Sequence, residues 1–488
     1  MSARWTARVA MGLLCASCGT VRTRAELPQP APVEQNVARS PAPPAESERA
    51  WSAPTIEQLA LSNGIPLYFS VHSADQIAIA YCNQRAGEDD LGAAAGLASI
   101  TSAMITDGSA AHRGRALQLA FAQRGTTLVD RTSRAGTCLS VQASRAELDE
   151  VASLLAEAVR SPAFDDGDFV ARRTAQMDER AGSVLSRAPL ARLLAHDLVF
   201  GSAHPYGRPE TGLGPEIRAR TLDEVRAYHR ARYTPANSAL VVAGGDREAV
   251  RAALDRAFGT WQTADVPAHP PGQTPTSAPR RPARLHIIDT HSGAQSHILV
   301  AWPGPARHDQ DWPALVVLER VMGGMFSSRL NLALREDEGY AYGAHTSLSL
   351  SRFGGLIMAR TNVETSVTAQ GLRRLLAEVS LLRDHEISDA ELATALALER
   401  AEHQSRFETP GGTLTELTQL HFYGLALDYP TRLDAAIRAI TAREVKIAAR
   451  RWLSQSEALI VVAGPRREIE APLQELRLSE IEHWNFQR

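Results

Sequence analysis

The chain reads as α+β, two homologous domains in tandem, each an antiparallel sheet with helices packed on one face. Three observations predict this. At 488 residues the chain is too long for one hydrophobic core. Four short segments recur in the same order at a nearly constant offset. Within each copy, runs of strand-like sequence are separated by runs of helical periodicity, the pattern of α+β rather than of alternating βαβ units.

The repeat is explicit. Thr221-Leu-Asp-Glu-Val leads to Asn237–Gly244, and Thr441-Ala-Arg-Glu-Val leads to Ser456–Gly464; the step from Thr221 to Thr441 equals the step from Gly244 to Gly464. Leu154-Leu-Ala-Glu157 returns as Leu375-Leu-Ala-Glu378, and His72-Ser73 before Ile77–Ala80 returns as His291-Ser292 before Ile298–Ala301. A period this long means a duplicated domain, not a solenoid of small units.

Copy one opens with strands near 65–71 and 76–84, followed by a helical region from Ala93 to Thr106. Strands are expected near 126–132 and 135–142, then a helix over 145–160 with Leu148, Val151, Leu155 and Val159 on one face. More helices lead to a last strand at Ala239–Ala243. Copy two repeats the plan, with Leu372, Leu375, Leu376, Val379 and Leu382 on the matching helix. The prolines of 265–282 mark a linker, which sets the domains at 54–264 and 283–488.

The composition is that of soluble globular domains, 44% apolar and 22% charged with a net charge of −3. Nothing in it suggests a basic field for nucleic acid or a membrane surface. Residues 1–18 read as a targeting segment: Arg4 and Arg8 precede a small apolar run too short to span a bilayer. Leu14-Cys15-Ala16-Ser17-Cys18 resembles the bacterial lipoprotein cleavage box, although Cys15 stands where leucine is usual. Lipidation at Cys18, simple secretion and a retained start all stay open; the first two place the protein in the cell envelope, periplasmic or lipid-anchored. Residues 19–53, rich in Pro, Ala, Glu and Ser, read as a flexible tether. Of the four cysteines, Cys82 and Cys138 lie in expected strands. They are expected to be buried free thiols, because directly paired strands rarely offer disulfide geometry, though an exported protein allows a bridge.

The most informative stretch is Met322–Gly343, MGGMFSSRLNLALREDEGYAYG. Leu330, Ala333 and Leu334 give it helical character, and Gly339 sits where a helix ends in a left-handed turn. After it the residues alternate: Tyr340, Tyr342, Ala344 and Thr346 are expected on one strand face, Ala341, Gly343, His345 and Ser347 on the other. Arg335 thus lies at a helix end and Tyr342 in a strand.

This stretch resembles the second-domain signature of the pitrilysin/insulinase family of zinc metallopeptidases. Gly87–Ser109 looks like the family's metal-helix region, 204–212 (HPYGRPETG) like its mid-domain turn, and 232–245 (RYTPANSALVVAGG) like its domain-ending strand. The resemblance covers roughly residues 55–475. It implies a helix carrying an inverted HxxEH, whose two histidines bind zinc while its glutamate takes a proton from the bound water, with a later glutamate completing the site. Here the matching positions are Ser99, Ser102 and Ala103, so both histidines and the base are gone; Glu179 matches the later glutamate. His112 and His204 read as a solvated loop residue and a turn residue.

In the family, an arginine and a tyrosine at the places of Arg335 and Tyr342 hydrogen-bond the substrate near its scissile carbonyl, and in two-chain members they sit on the subunit without the metal. The resemblance therefore implies a non-catalytic subunit that binds no metal itself and pairs with an HxxEH-bearing paralogue holding the zinc, with unfolded peptide as substrate. The rival expectation is a catalytically inactive peptide-binding or scaffold protein of the envelope with no protease partner. A third, a self-sufficient peptidase with a relocated metal site, lacks any paired His or Cys spacing to support it.

Overall fold

The computed structural model describes residues 51–72, 75–87, 95–202, 204–262, 284–290 and 292–484. The targeting segment with Cys18, nearly all of the tether and the proline-rich linker lie outside the described residues.

In the first half, strands β1 (Ile56–Ala60), β2 (Pro66–Ser70) and β3 (Gln76–Asn83) precede helices α1 (Leu97–Asp107) and α2 (Arg115–Gln123). A hairpin of β4 (Val129–Ser133) and β5 (Gly136–Ser144) leads to α3 (Leu148–Arg160), α4 (Asp166–Leu185), α5 (Arg187–Phe200), α6 (Gly214–Ala219) and α7 (Leu222–Arg232), then β6 (Ser238–Ala243) and α8 (Arg247–Phe258). The second half runs β7 (Arg284–Asp289), β8 (Gln295–Gly304), α9 (Trp312–Glu319), the short α10 (Arg329–Asn331), β9 (Ala341–Ser351) and β10 (Gly354–Glu364). Helices α11 (Thr368–Asp384), α12 (Asp389–Ser405), α13 (Pro410–Tyr423), α14 (Tyr429–Ala439) and α15 (Ala442–Trp452) precede β11 (Leu459–Gly464), α16 (Arg466–Gln474) and β12 (Ile481–Trp484).

Each half forms a six-stranded sheet, in the orders β1-β2-β6-β3-β5-β4 and β12-β7-β11-β8-β10-β9. From the second strand inward the two orders are the same order, so the duplication is structural. The sequence repeats fall on equivalent parts: Thr221 and Thr441 each build a capping box, with Glu224 and Glu444, at the start of the helix before the central strand. Only the outermost strand differs. β1 precedes its domain and runs antiparallel to β2, whereas β12 follows its domain and runs parallel to β7. The sheets are mostly antiparallel, but β2 and β6 are parallel, as are β7 and β11. The last strand of each domain returns after the helices and inserts between the first two, so it must run parallel to one of them.

Helices cover one face of each sheet from within its own domain, as expected, but the other face is covered too. In the first sheet Ile77, Ile79 and Tyr81 pack with α1, α3, α7 and α8, while Ala78, Ala80 and Cys82 point the other way and meet Leu414, Leu417 and Leu420 of α13. In the second sheet Leu299, Ala301, Val461 and Ala463 meet Leu190, Ala191, Leu194 and Ala195 of α5. Each domain thus lends a helix to its sibling's sheet. On the first sheet the small side chains of Ala78, Ala80 and Ala243 let α13 approach; on the second, Ala191 and Ala195 of α5 supply the small surface. Burial on both faces explains why β3, β6 and β11 read as nearly unbroken apolar runs.

Cys82 and Cys138 are bonded, contrary to the expectation of free thiols. They are directly opposite one another in β3 and β5, with Cα atoms 4.2 Å apart. That is the narrow spacing of a pair that exchanges no backbone hydrogen bonds, the one cross-strand position close enough to bridge.

Candidate functional site

Helix α1 starts at Gly96, whose φ of +83° and whose contact with the Thr211 carbonyl leave no room for a Cβ. Gln176 of α4 clamps this start, its Nε2 donating to the carbonyls of Gly96 (3.0 Å) and Thr211 (2.8 Å). On α1, Ser99 and Ala103 lie half-buried one turn apart. Ser102 is buried, and its hydroxyl donates to Asp130 Oδ2 of β4 at 2.9 Å. Glu179 is on α4, exposed. This set does not fit zinc: two neutral hydroxyls, one already committed to Asp130, a methyl group and one solvated carboxylate cannot supply three or four donors. Among the described residues no three His, Cys, Asp or Glu side chains group as metal ligands elsewhere.

The stray histidines have structural partners. His112 Nδ1 lies 2.9 and 3.1 Å from the two carboxylate oxygens of Glu157, tying the loop after α1 to α3, so it is not merely a solvated loop residue. Burial opposes ionisation of Glu157, but hydrogen bonds from Ser109 and His112 outweigh it and hold the carboxyl below its usual range. His204 is the turn residue expected, accepting from the Tyr206 amide at 3.0 Å.

Beside α1, β4 is one of the two edges of the first sheet, and among the described residues no strand pairs with its outer side. Because Cys82 and Cys138 form a narrow pair, the amides of Cys138 face β4 and meet those of Arg131. By alternation, Asp130 and Thr132 turn their N–H and C=O groups outward, while the side chains of Val129, Arg131 and Ser133 share the sheet face that receives α13. Between that face and α13 lies a cavity of about 870 Å³. A second, of about 610 Å³, continues past Ser133, Thr415 and Phe422 toward Leu348 and Leu350 of β9, the free edge of the other sheet. No sequence pattern announces these spaces, because their walls come from opposite halves of the chain.

The Met322–Gly343 stretch forms the helix, turn and strand expected of it, with Gly339 at φ +66°. Its winding departs from the simple helix that the periodicity predicts: residues 320–324 and 332–337 are π-helical, and the Glu338 amide reaches back to the Ala333 carbonyl at 3.3 Å. Such segments recur at functional sites. Arg335 lies in the second π segment, half-exposed, with its guanidinium 4.6 Å from the centre of the exposed Phe326 ring. Tyr342 is 94% exposed, although Ala344 and Thr346, expected on its face, are buried. The register between β9 and β10 slips between Thr361 and Val363, and this bulge turns Tyr342 out. Arg335 and Tyr342 flank one turn at the surface, and no hydrogen bond or ring contact among the described residues joins them.

Two residues that the sequence does not single out hold this geometry. Asn331 donates to the Met325 carbonyl and to Ser328 Oγ, both at 3.1 Å, and its Oδ1 accepts from the Ala344 amide at 2.8 Å, so one buried amide ties loop, helix and strand together. Glu319 takes hydrogen bonds from Thr346 Oγ1 on its carbonyl (2.9 Å) and its carboxyl (3.1 Å). Burial pushes that carboxyl up to about 7 despite the neighbouring Arg320. Gly323 permits the approach, since a Cβ there would sit 2.7 Å from Thr346 Cγ2.

Comparison with known proteins agrees with this layout. Residues 220–398 match the family described as peptidase M16 inactive domain. An uncharacterized zinc protease of Streptomyces coelicolor is 24% identical over 346 residues, 70% of this chain and 74% of that protein. A probable inactive metalloprotease of Bacillus subtilis is 23% identical over 275 residues, 54% of this chain and 62% of that one. Among solved structures, a peptidase M16 inactive domain from Pseudomonas fluorescens superposes with a TM-score of 0.77 at 21% identity, covering 84% of this chain and 98% of that chain. A protease from Helicobacter pylori superposes with a TM-score of 0.79 at 18% identity, covering 84% of this chain and 100% of that one. At such identities the structural likeness speaks for the fold.

Proposed function

Since the chain belongs to the pitrilysin/insulinase family of metallopeptidases and lacks that family's metal-binding motif, we propose that it is the non-catalytic, substrate-binding subunit of a two-chain peptidase. Its partner would be an HxxEH-bearing paralogue that holds the zinc. The observation that carries this reading is an asymmetry between the two halves. The positions that should ligate a metal are side chains that cannot, whereas Arg335 and Tyr342 remain at the surface, on a turn braced by Asn331 and Glu319. In this reading the Arg335 fork and the Tyr342 phenol donate hydrogen bonds to the carbonyl oxygen of a peptide bond in the partner's site, where charge develops during cleavage. An unfolded substrate adds as a strand to the outward amides of Asp130 and Thr132, with affinity from backbone hydrogen bonds and loose sequence preference. Cys18 would carry a lipid that keeps the pair at the envelope, a point tested by mass spectrometry of the protein extracted from membranes.

The test is reconstitution. The purified chain should hold no stoichiometric zinc and cleave nothing. Adding the paralogue should give peptide cleavage that falls by about 10²-fold on Arg335→Ala, the size of effect seen when one oxyanion donor is removed. Zinc and full activity in the isolated chain would refute the proposal. Peptide binding with no effect on any paralogue would favour the inactive scaffold.

A further inference from the structure

We propose that the cavity under β4 selects acidic, extended segments of polypeptide, seating an acidic side chain against Arg131 and apolar side chains two residues to either side. The inference rests on the reading that this chain binds unfolded peptide, and it adds which peptide.

The register sets the geometry. A strand added to β4 bonds to the amides of Asp130 and Thr132, so its residue opposite Arg131 lies on the same sheet face as Arg131. That face opens on the 870 Å³ cavity, a volume within the range of ligand pockets and large enough for several side chains at once. Among the described residues, Arg131 is the sole ionisable side chain lining it, and no carboxylate is present there to receive a lysine or arginine. Arg131 is exposed, and no hydrogen bond or ion pair among the described residues engages its guanidinium. Two residues along the strand lie Val129 at one end and the small Ser133 at the other, and α13 adds the apolar side chains of Leu414 and Phe422 to the lining. Ala78, Ala80 and Gly411 leave the floor open.

The adjoining cavity has the same sign. Among the described residues it is lined by Arg307 and Arg406 against a single carboxylate, Glu416, which lies 3.7 Å from Arg406. Arg307 is fixed by stacking 3.8 Å from the Trp312 ring centre and by a 2.7 Å bond to Tyr429 Oη, so its charge is held in place rather than neutralised. A segment running from β4 toward β9 therefore passes three arginines and one glutamate. A charged residue on an edge strand also discourages unwanted strand pairing. That role needs no cavity and gives no preference for one sign of ligand charge, so the two explanations separate by experiment.

The probes are fluorescein-labelled nine-residue peptides with Phe-Thr-X-Thr-Val at their centre, X being glutamate, glutamine or lysine. Binding to the purified full chain is read by fluorescence polarisation. At low salt the glutamate peptide should bind about tenfold tighter than the lysine peptide, and the gap should close in 0.5 M NaCl as the charges are screened. Arg131→Glu should reverse the order. Thr415→Trp, which fills the cavity from α13, should weaken all three peptides while leaving the thermal melt in place. Equal binding of the three, or an acidic preference that survives Arg131→Glu, overturns the selectivity but not the peptide-binding reading. No binding by any of them overturns both.

Discussion

The Cys82–Cys138 bridge should stabilise the first domain by about 4 kcal/mol. It links residues 56 apart in sequence, and the chain entropy withheld from the unfolded state by a loop of that length corresponds to about 4 kcal/mol at 25 °C. Both cysteines sit on the sheet face that receives α13, so the bridge also fixes the register of the two strands on which that helix rests. The perturbation is the double variant Cys82→Ala, Cys138→Ala, compared with oxidised and reduced wild type in urea. For a domain of this size the denaturant slope is about 3 kcal/mol per M, so the first-domain transition should move down by about 1 to 2 M. Mass spectrometry of a non-reduced digest should recover the linked peptides. Oxidised and reduced protein differing by less than about 1 kcal/mol, or a digest with both thiols free, would refute the cross-strand pairing from which the outward amides of Asp130 and Thr132 were deduced.

Asn331→Ala leaves the buried Ala344 amide without its acceptor and should cost about 1–3 kcal/mol; it should also depress reconstituted activity, whereas Asn331→Asp, which keeps the acceptor, should retain more of both. His421 is held down to about 4, chiefly by burial and then by the Arg352 guanidinium. A histidine depressed in this way stays neutral in the fold while the unfolded chain takes up a proton, so its contribution is complete above about pH 6.5 and is lost as pH falls toward 4. Between pH 7 and pH 5 that loss is about 2 kcal/mol, so His421→Gln should flatten the urea-midpoint profile over this interval by that amount. Glu319 works in the opposite sense: its carboxyl is raised to about 7, so it destabilises the fold above that pH and relaxes as pH falls toward 4.5. Glu319→Gln should gain stability at pH 8 relative to pH 5, read from the same urea midpoints.

Much of the architecture is legible in the sequence because it depends on periodicity and repetition. The strands at β2, β3, β5 and β6 and the amphipathic α3 fall where their patterns put them, and the constant offset between the repeats foretells two sheets of one design. What escapes the sequence depends on contacts across the duplication or on local irregularity. The apolar runs of β3 and β6 are long enough to fill two buried faces, but they do not say that the second cover comes from the sibling domain. The bond between Cys82 and Cys138 escapes because strand identity does not give register, and only a narrow register brings the two close enough. The face of Tyr342 escapes because a bulge opposite Asn362 breaks strict alternation. Ser99, Ser102 and Ala103 are legible as losses, since the chemistry of a missing ligand needs no coordinates. The cavity beside Arg131 is not, because one of its walls belongs to residues 411–422, far away in the sequence.

The exchange of α5 and α13 bears on how such a protein can be divided. A single copy made alone would leave one sheet face bare and one apolar helix without a seat, and would find relief only in a second molecule, at a cost that grows with dilution. Carrying both copies on one polypeptide makes each the permanent neighbour of the other, at an effective concentration near the millimolar range. Cleaving the chain in the segment 263–283 should therefore leave two fragments that travel together through gel filtration, while either fragment expressed by itself should aggregate.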